Sequence, residues 1–180
     1  MKWIKIVLGG FAGLLVLVVV VLVLLGMRKD ASRMQTSITL RQRPEVIFPY
    51  LYDAQKFKSW VSWVLEVQRP DGEPTVGSEL VVVMEDKNNG GAQMRITSRI
   101  EAVEMNRHLR VALSVPKAFT GTADYTLKDQ GNGETLLSLD SHYNLDHWFA
   151  KLMMPVVLVS ARKKMNGDLE RLKTVVEAVK

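Results

Sequence analysis

Phe119-Thr-Gly-Thr-Ala-Asp-Tyr-Thr-Leu-Lys128 is the stretch whose reading decides the fold. Phe119, Gly121, Ala123, Tyr125 and Leu127 fall on one side of the alternation, and Thr120, Thr122, Asp124, Thr126 and Lys128 on the other. That period is a β-strand with one face on a core and one in water. It recurs on both sides. Leu80, Val82 and Met84 alternate, as do Met94, Ile96, Ser98 and Ile100 against Gln93, Arg95, Thr97, Arg99 and Glu101. Leu109, Val111, Leu113 and Val115 follow, and Leu137, Leu139, Ser141 and Tyr143 complete the series. The turn residues of Asp86-Lys-Asn-Asn-Gly-Gly91 and Gln130-Gly-Asn-Gly133 join neighbouring runs, so the pattern predicts a meander of antiparallel strands with a single apolar face.

Upstream, Met34-Gln-Thr-Ser-Ile-Thr-Leu40 reads as a first strand and Leu65–Arg69 as a second. Between them Pro44 suits the first turn of a short helix with Val46, Ile47, Tyr50 and Leu51 as its apolar stripe; Pro49 limits it. Asp53 is placed to cap a second short helix through Phe57 and Trp60. Downstream, Met165, Leu169, Leu172, Val176 and Val179 recur at helical spacing, with Asp146 as the expected cap and Pro155 at the kink or the start of the straight part. An antiparallel sheet with one apolar face needs a cover, and the long helix is the element available. The expected class is α+β, a curved antiparallel sheet wrapped around a long C-terminal helix, an arrangement that leaves a cavity between the two.

The chain begins differently. Ile6 to Met27 is a run of 22 uncharged residues rich in Leu and Val. As a helix it would reach roughly 33 Å, enough for a hydrocarbon core of about 30 Å. Its length and the sequence Leu24-Leu25-Gly26-Met27-Arg28 argue against a cleaved signal peptide. Gly9 and Gly13 have the spacing of close helix contact. The expectation is a single-pass membrane protein with the bilayer as partner: an anchor and charged connector over 1–33, and a ligand-binding domain over 34–180. The short basic tail stays inside by the positive-inside rule, which places the domain outside the cytoplasm, with the cytoplasmic side as the alternative.

The net charge of +5 has the same origin. Residues 1–33 carry Lys2, Lys5, Arg28, Lys29 and Arg33 against Asp30, which leaves only +1 for the rest. A nucleic-acid-binding domain would hold its charge on the folded body, so no nucleic-acid partner is implied. The absence of cysteine excludes a disulfide framework, a zinc-thiolate site and a thiol nucleophile.

Three stretches resemble a known family. Arg43-Pro-Glu-Val-Ile-Phe-Pro-Tyr-Leu-Tyr-Asp53, Phe57-Lys-Ser-Trp60-Val-Ser-Trp63 and Leu169-Glu-Arg-Leu-Lys-Thr-Val-Val-Glu177 are similar to the opening helix, the tryptophan segment and the last helix of the START-like, helix-grip superfamily, in its SRPBCC (polyketide cyclase/dehydrase and lipid transport) branch. The likeness covers roughly residues 34–178. It implies a cavity for a hydrophobic ligand and no shared catalytic set. Where the family's tryptophan segment continues with Asn-Pro, this chain has Val61-Ser62, which implies a different cavity mouth.

The residues themselves nominate no catalytic group, no cofactor and no metal. Asp140 and His142 project opposite Leu137, Leu139 and Tyr143, onto the solvent face, where a hydrogen-bonded pair is the ordinary reading. No Gly-x-Ser-x-Gly elbow or phosphate loop occurs. The candidate cavity residues are Tyr50, Phe57, Trp60, Trp63, Met84, Met94, Ser98, Phe119, Tyr125, Ser141, Trp148 and Met153. Each aromatic or methionine is ordinary core filler alone; together they suit an adaptable apolar pocket, with Ser98, Tyr125 and Ser141 as inward polar anchors. Leu152-Met-Met-Pro-Val-Val-Leu-Val159 is apolar all round, which fits full burial or a gate facing lipid, with Arg162-Lys163-Lys164 beyond it. The leading expectation is a tethered binding module for a small hydrophobic or lipid-like ligand. The alternatives are a cyclase/aromatase-like enzyme on a hydrophobic substrate and a non-catalytic envelope-associated interaction protein.

Overall fold

The alternation at Phe119–Lys128 is an alternation of burial in the computed structural model, which describes residues 11, 14, 16–21, 32–69, 72–86, 90–148 and 152–179. Ala123, Tyr125 and Leu127 are buried on one side of the strand, while Thr120, Thr126 and Lys128 are exposed on the other. The elements run β1 (Arg33–Leu40), α1 (Pro44–Ile47), one turn of 3-10 helix (Phe48–Leu51), α2 (Ala54–Trp60), β2 (Val64–Gln68), β3 (Glu79–Asp86), β4 (Ala92–Glu104), β5 (His108–Val115), β6 (Phe119–Gly131), β7 (Glu134–Leu145) and α3 (Met154–Glu177).

All seven strands form one antiparallel sheet in the order β1-β7-β6-β5-β4-β3-β2. Strands β2 to β7 are a simple meander. β1 is the exception: it pairs with β7, Met34 opposite Ser141 and Ile38 opposite Leu137. The α1–α2 segment therefore carries the chain from one edge of the sheet to the other. Pro44 sits in the first turn of α1, and Pro49 falls in the single 3-10 turn that ends this helical stretch. Asp53 caps α2 through its carboxylate, which accepts from the Lys56 amide at 2.8 Å.

One face of the sheet is covered by α3. Leu169, Leu172 and Val176 share a continuous core with Leu40, Ile47, Phe48, Leu137 and Leu139. Burying each of these side chains contributes about 1.5–3 kcal/mol. The edges of this core are fixed by polar contacts from the helix: Lys173 donates to the Thr39 carbonyl at 2.8 Å, and Glu177 accepts from the Arg41 amide at 2.8 Å. Asp146 does not cap α3. It lies at the bend after β7, where its amide donates to the Ala118 carbonyl, and α3 starts eight residues later with Pro155 in its first turn. Val179 falls beyond the helix and is exposed.

The expectation of a single-pass membrane protein is corrected. Among the described residues no helix is long and apolar enough to cross a membrane. Of the Ile6–Met27 stretch, residues 11, 14 and 16–21 are described. The other positions of the Ile6–Met27 stretch, except Phe11 and Leu14, lie outside the described residues, as do Gly9 and Gly13 with their helix-contact spacing. The extracytoplasmic placement of the domain falls with the anchor on which it was built.

Candidate functional site

A cavity of about 560 Å³ opens between the sheet and the N-terminal half of α3. Its floor comes from the inward residues of β3 to β7. Leu80, Val82, Met84, Met94 and Ile96 form one side, and Phe119, Tyr143 and Leu145 the other. Its roof is α3, through Met154, Leu158, Ala161 and Met165, and its near wall is the segment Phe57 to Trp63. Val156 and Val157 line the space and are also 48% and 44% exposed, so they mark its mouth. The apolar run Leu152–Val159 is thus neither wholly buried nor wholly on one stripe: Met154 and Leu158 are buried, while Val156, Val157 and Val159 are exposed.

The hollow exists because the strands beneath it carry small side chains at inward positions. Ser98 on β4, Ala123 on β6 and Ser141 on β7 take the places that Leu127, Leu137 and Leu139 fill at the other end of the sheet. Gly121 on β6 sets the strand spacing beside this wall. A Cβ there would lie 2.5 Å from the His142 carbonyl oxygen and 3.2 Å from Tyr143 Cδ1, so only glycine lets β6 and β7 approach so closely beneath the Tyr143 ring. Phe119 meets that ring edge-on, with centroids 6.1 Å apart.

The near wall is held in an unusual backbone conformation. Trp63 has φ 70°, a left-handed value that a bulky residue adopts at a cost of about 1–3 kcal/mol. Its surroundings fix it there. The Trp63 carbonyl accepts from the Glu85 amide at 2.9 Å, and Lys164 Nζ stands 5.1 Å from the centre of the Trp63 ring. The preceding Ser62 amide donates to Asp168 Oδ1 at 3.0 Å. Asp168 is 1% exposed in the middle of α3 and is charge-paired with Lys164 one turn earlier. Val61-Ser62 is therefore used twice: Val61 lines the cavity and Ser62 ties the wall to the helix.

The polar groups of the lining divide into committed and uncommitted ones. Arg69 donates to the carbonyls of Tyr52 and Gly72 and stacks 4.8 Å from the Tyr52 ring centre. Lys164 is committed to Asp168. Ser141 is different. It is 1% exposed, and its hydroxyl makes no hydrogen bond of ordinary geometry, although the Tyr143 phenol is close enough to feel it. Burial pushes the Tyr125 phenol well above its ordinary value, with Tyr143 and Asp168 acting in the same direction. Burial likewise raises the Tyr143 phenol, against a smaller opposing effect of Ser141. Both phenols remain protonated donors through the physiological range.

Nine of the sequence-derived candidates line the cavity: Phe57, Trp60, Trp63, Met84, Met94, Ser98, Phe119, Tyr125 and Ser141. Three do not. Tyr50 is in the packed core, where its carbonyl accepts from Trp60 Nε1 at 2.8 Å. Trp148 is 76% exposed, and Met153 is the residue before α3. Sequence reasoning passed over Met34, Arg69, Tyr143 and Lys164. Tyr143 was signalled by its place on the apolar alternation of β7. Lys164 was signalled by Asp168, a carboxylate four residues on and beside the apolar stripe, where it needs a partner. Asp140 lies on the outer face, as expected from the alternation, where Arg33 Nε donates to Oδ1 at 2.9 Å and Gln35 Nε2 to Oδ2 at 3.0 Å. His142 pairs with Ser32 Oγ at 2.9 Å.

Residues 31–177 match the family model described as polyketide cyclase / dehydrase and lipid transport. No curated protein matches the chain by sequence. Similar solved structures include a START superfamily protein from Mycobacterium smegmatis, 15% identical with a TM-score of 0.66, covering 82% of this chain and 99% of that one. A protein from Rhodobacter sphaeroides is 17% identical with a TM-score of 0.67, covering 83% of this chain and 95% of its own. The Zhui aromatase/cyclase from Streptomyces sp. R1128 is 12% identical with a TM-score of 0.65, covering 81% of this chain and 93% of its own. At these identities the likeness is one of fold.

Proposed function

This chain belongs to the polyketide cyclase / dehydrase and lipid transport family, and we propose that within it the protein is a binding module that holds a small hydrophobic molecule between the sheet and α3. The observation that carries this reading is the cavity itself. Its volume of about 560 Å³ is that of a small-molecule site, and its walls are aliphatic, aromatic and methionine side chains with few polar groups among them. An apolar molecule entering through the Val156–Val157 mouth would gain close contacts with these walls. The methionines Met34, Met84, Met94, Met154 and Met165 let the walls adapt to its shape. The binding unit is the stretch 34–180.

Native mass spectrometry of the full chain tests this. A stoichiometric adduct that is released on denaturation and extracts into organic solvent is the expected result. Protein that carries no adduct and takes up no added apolar dye would overturn the reading. Cyclase-like turnover in the same cavity is the second reading, favoured by the two buried phenols, which stay protonated and so can donate to a substrate carbonyl. A change in the mass of the bound molecule during incubation would reveal it.

A further inference from the structure

Val61, Ser62 and Trp63 join α2 to β2, and Val61 and Trp63 form part of the cavity's near wall. Both ends of this link are fixed. Trp60 before it is fully buried and donates from Nε1 to the Tyr50 carbonyl, and Val64 after it is paired with Met84 on β3. The link itself is only half-buried. Little apolar burial holds it, and the left-handed backbone of Trp63 opposes the conformation in which it is held. Polar contacts from two other elements keep it there. Asp168 on α3 accepts from the Ser62 amide, Lys164 on α3 stands over the Trp63 ring, and the Glu85 amide on β3 donates to the Trp63 carbonyl. The Asp168 carboxylate is itself pinned by Lys164 at 2.5 Å, in a site 1% exposed.

Val157, Ser160 and Lys164 line the same cavity and recur at helical spacing on one side of α3. Lys164 meets Trp63, so the mouth at Val157 lies on the seam between this side of the helix and the wall. We propose that the Val61–Trp63 link is a gate on that seam, latched by Asp168. Ligand exchange follows release of the Ser62 amide, and relief of the left-handed backbone at Trp63 favours the open form once that bond breaks. The proposal rests on the binding reading above. The latch is strong, because its acceptor is a carboxylate, yet it opens without exposing core. Asp168 keeps Lys164 as its partner, and the Ser62 amide reaches water in exchange. The filled core around Leu172 takes no part in such a movement.

Ser62→Pro tests the latch. It deletes the N–H that Asp168 accepts from the wall and leaves the Lys164–Asp168 pair in place. Val61, at φ −76° and ψ 118°, already has the backbone that precedes a proline. Stopped-flow uptake and release of the neutral dye N-phenyl-1-naphthylamine by the full chain should both become roughly tenfold faster, the worth of a hydrogen bond to a charged group, with the equilibrium affinity within about twofold. A gate that closes alike over an empty and a filled cavity changes both rates and not their ratio, whereas a part that only supports the cavity's shape changes affinity. Unchanged rates in a folded Ser62→Pro would overturn the proposal, as would a loss of affinity at an unchanged uptake rate. If the dye binds and neither rate moves, the binding reading stands and the gate alone falls. If the dye does not enter the full chain at all, both fall. Hydrogen exchange of the wild type needs neither variant nor ligand. The amides of Ser62 and Glu85, which the wall's two backbone bonds protect, should share one protection factor, about tenfold or more below that of the best-protected amides of β6 and β7. Protection equal to that of β6 and β7 would mean that the wall opens only when the domain unfolds, and would overturn the proposal.

Discussion

Along α3, the turns that carry Leu169, Leu172 and Val176 belong to one filled core with Leu40, Ile47, Leu137 and Leu139, whereas the turns that carry Met154, Leu158 and Met165 pack on one side against Met34, Tyr143 and Leu145 and border a cavity. The helix is the same and the sheet is continuous beneath it. The difference is in the opposing wall. Leucines face the C-terminal turns, and Ser98, Ala123 and Ser141 line the space beneath the N-terminal ones. A helix held against a sheet at one end and met by small residues at the other must leave space. The packed half thus supplies stability and the hollow half supplies the site, an allocation made by side-chain size and not by a change of fold.

Core truncation should separate the halves most strongly. Leu172→Ala, at a fully buried position, should cost about 2–5 kcal/mol in urea unfolding, because the packed half cannot collapse around the deficit. Met165→Ala, which borders the cavity, should cost less than half as much. Equal losses would mean that the two halves are packed alike.

Gly121→Ala comes next. The added Cβ meets the His142 carbonyl oxygen at 2.5 Å, which is backbone and cannot swing aside. The expected loss is about 1–3 kcal/mol by the same unfolding measurement. A neutral result would show that β6 and β7 can part without penalty, and that glycine is not what holds Tyr143 in place.

The smallest effect lies on the outer face, away from both halves. The Arg33 guanidinium beside Asp140 holds its carboxyl below the usual range, against the opposing effect of partial burial. The folded-state value is the lower one, so the pair's contribution is present above the ordinary carboxylate range near pH ~4 and is lost as pH falls through the folded value. The two side chains are 44% and 37% exposed, so screening limits the effect to a few tenths of a kcal/mol, about what surface pairs give. Asp140→Asn should remove that much of the acid dependence of stability and no more. A larger change would mean that the outer face bears on the core.

The fold was legible because period and turn chemistry agree along nearly the whole domain. The alternation at Leu80–Met84, Met94–Ile100 and Phe119–Leu127 gave the buried face, and Asp53 and Pro44 gave the short helices. What stayed hidden depends on distance in space. Nothing local to Met34-Gln-Thr-Ser-Ile-Thr-Leu40 says that β1 joins the far edge of the sheet beside β7. Asp146 looked like a cap because it stands ahead of an apolar helical stretch, but β7 runs on to Leu145 and α3 begins at Met154, with Pro155 in its first turn. Trp148 was nominated as an aromatic residue beside the helical stretch, yet at a helix end such a residue can as easily face water, and it is exposed. The long apolar stretch near the N-terminus met the hydropathy criterion for an anchor, and the described helical residues do not bear that reading out. The cavity residues on the strands were found because alternation fixes a side. Those on the helix and loops, Lys164 and Arg69, were missed because their roles come from partners elsewhere in the chain.

Filling the hollow half tests its role most directly. Ala123 lines the cavity on β6, and Ala123→Leu places a larger side chain where the structure has space. Titration of wild type and variant with N-phenyl-1-naphthylamine, alongside their urea unfolding curves, gives one comparison. A hollow binding site predicts saturable dye uptake by the wild type, its loss in Ala123→Leu, and a stability equal to or above that of the wild type. Undiminished uptake in a folded Ala123→Leu, or no uptake by the wild type, would contradict it.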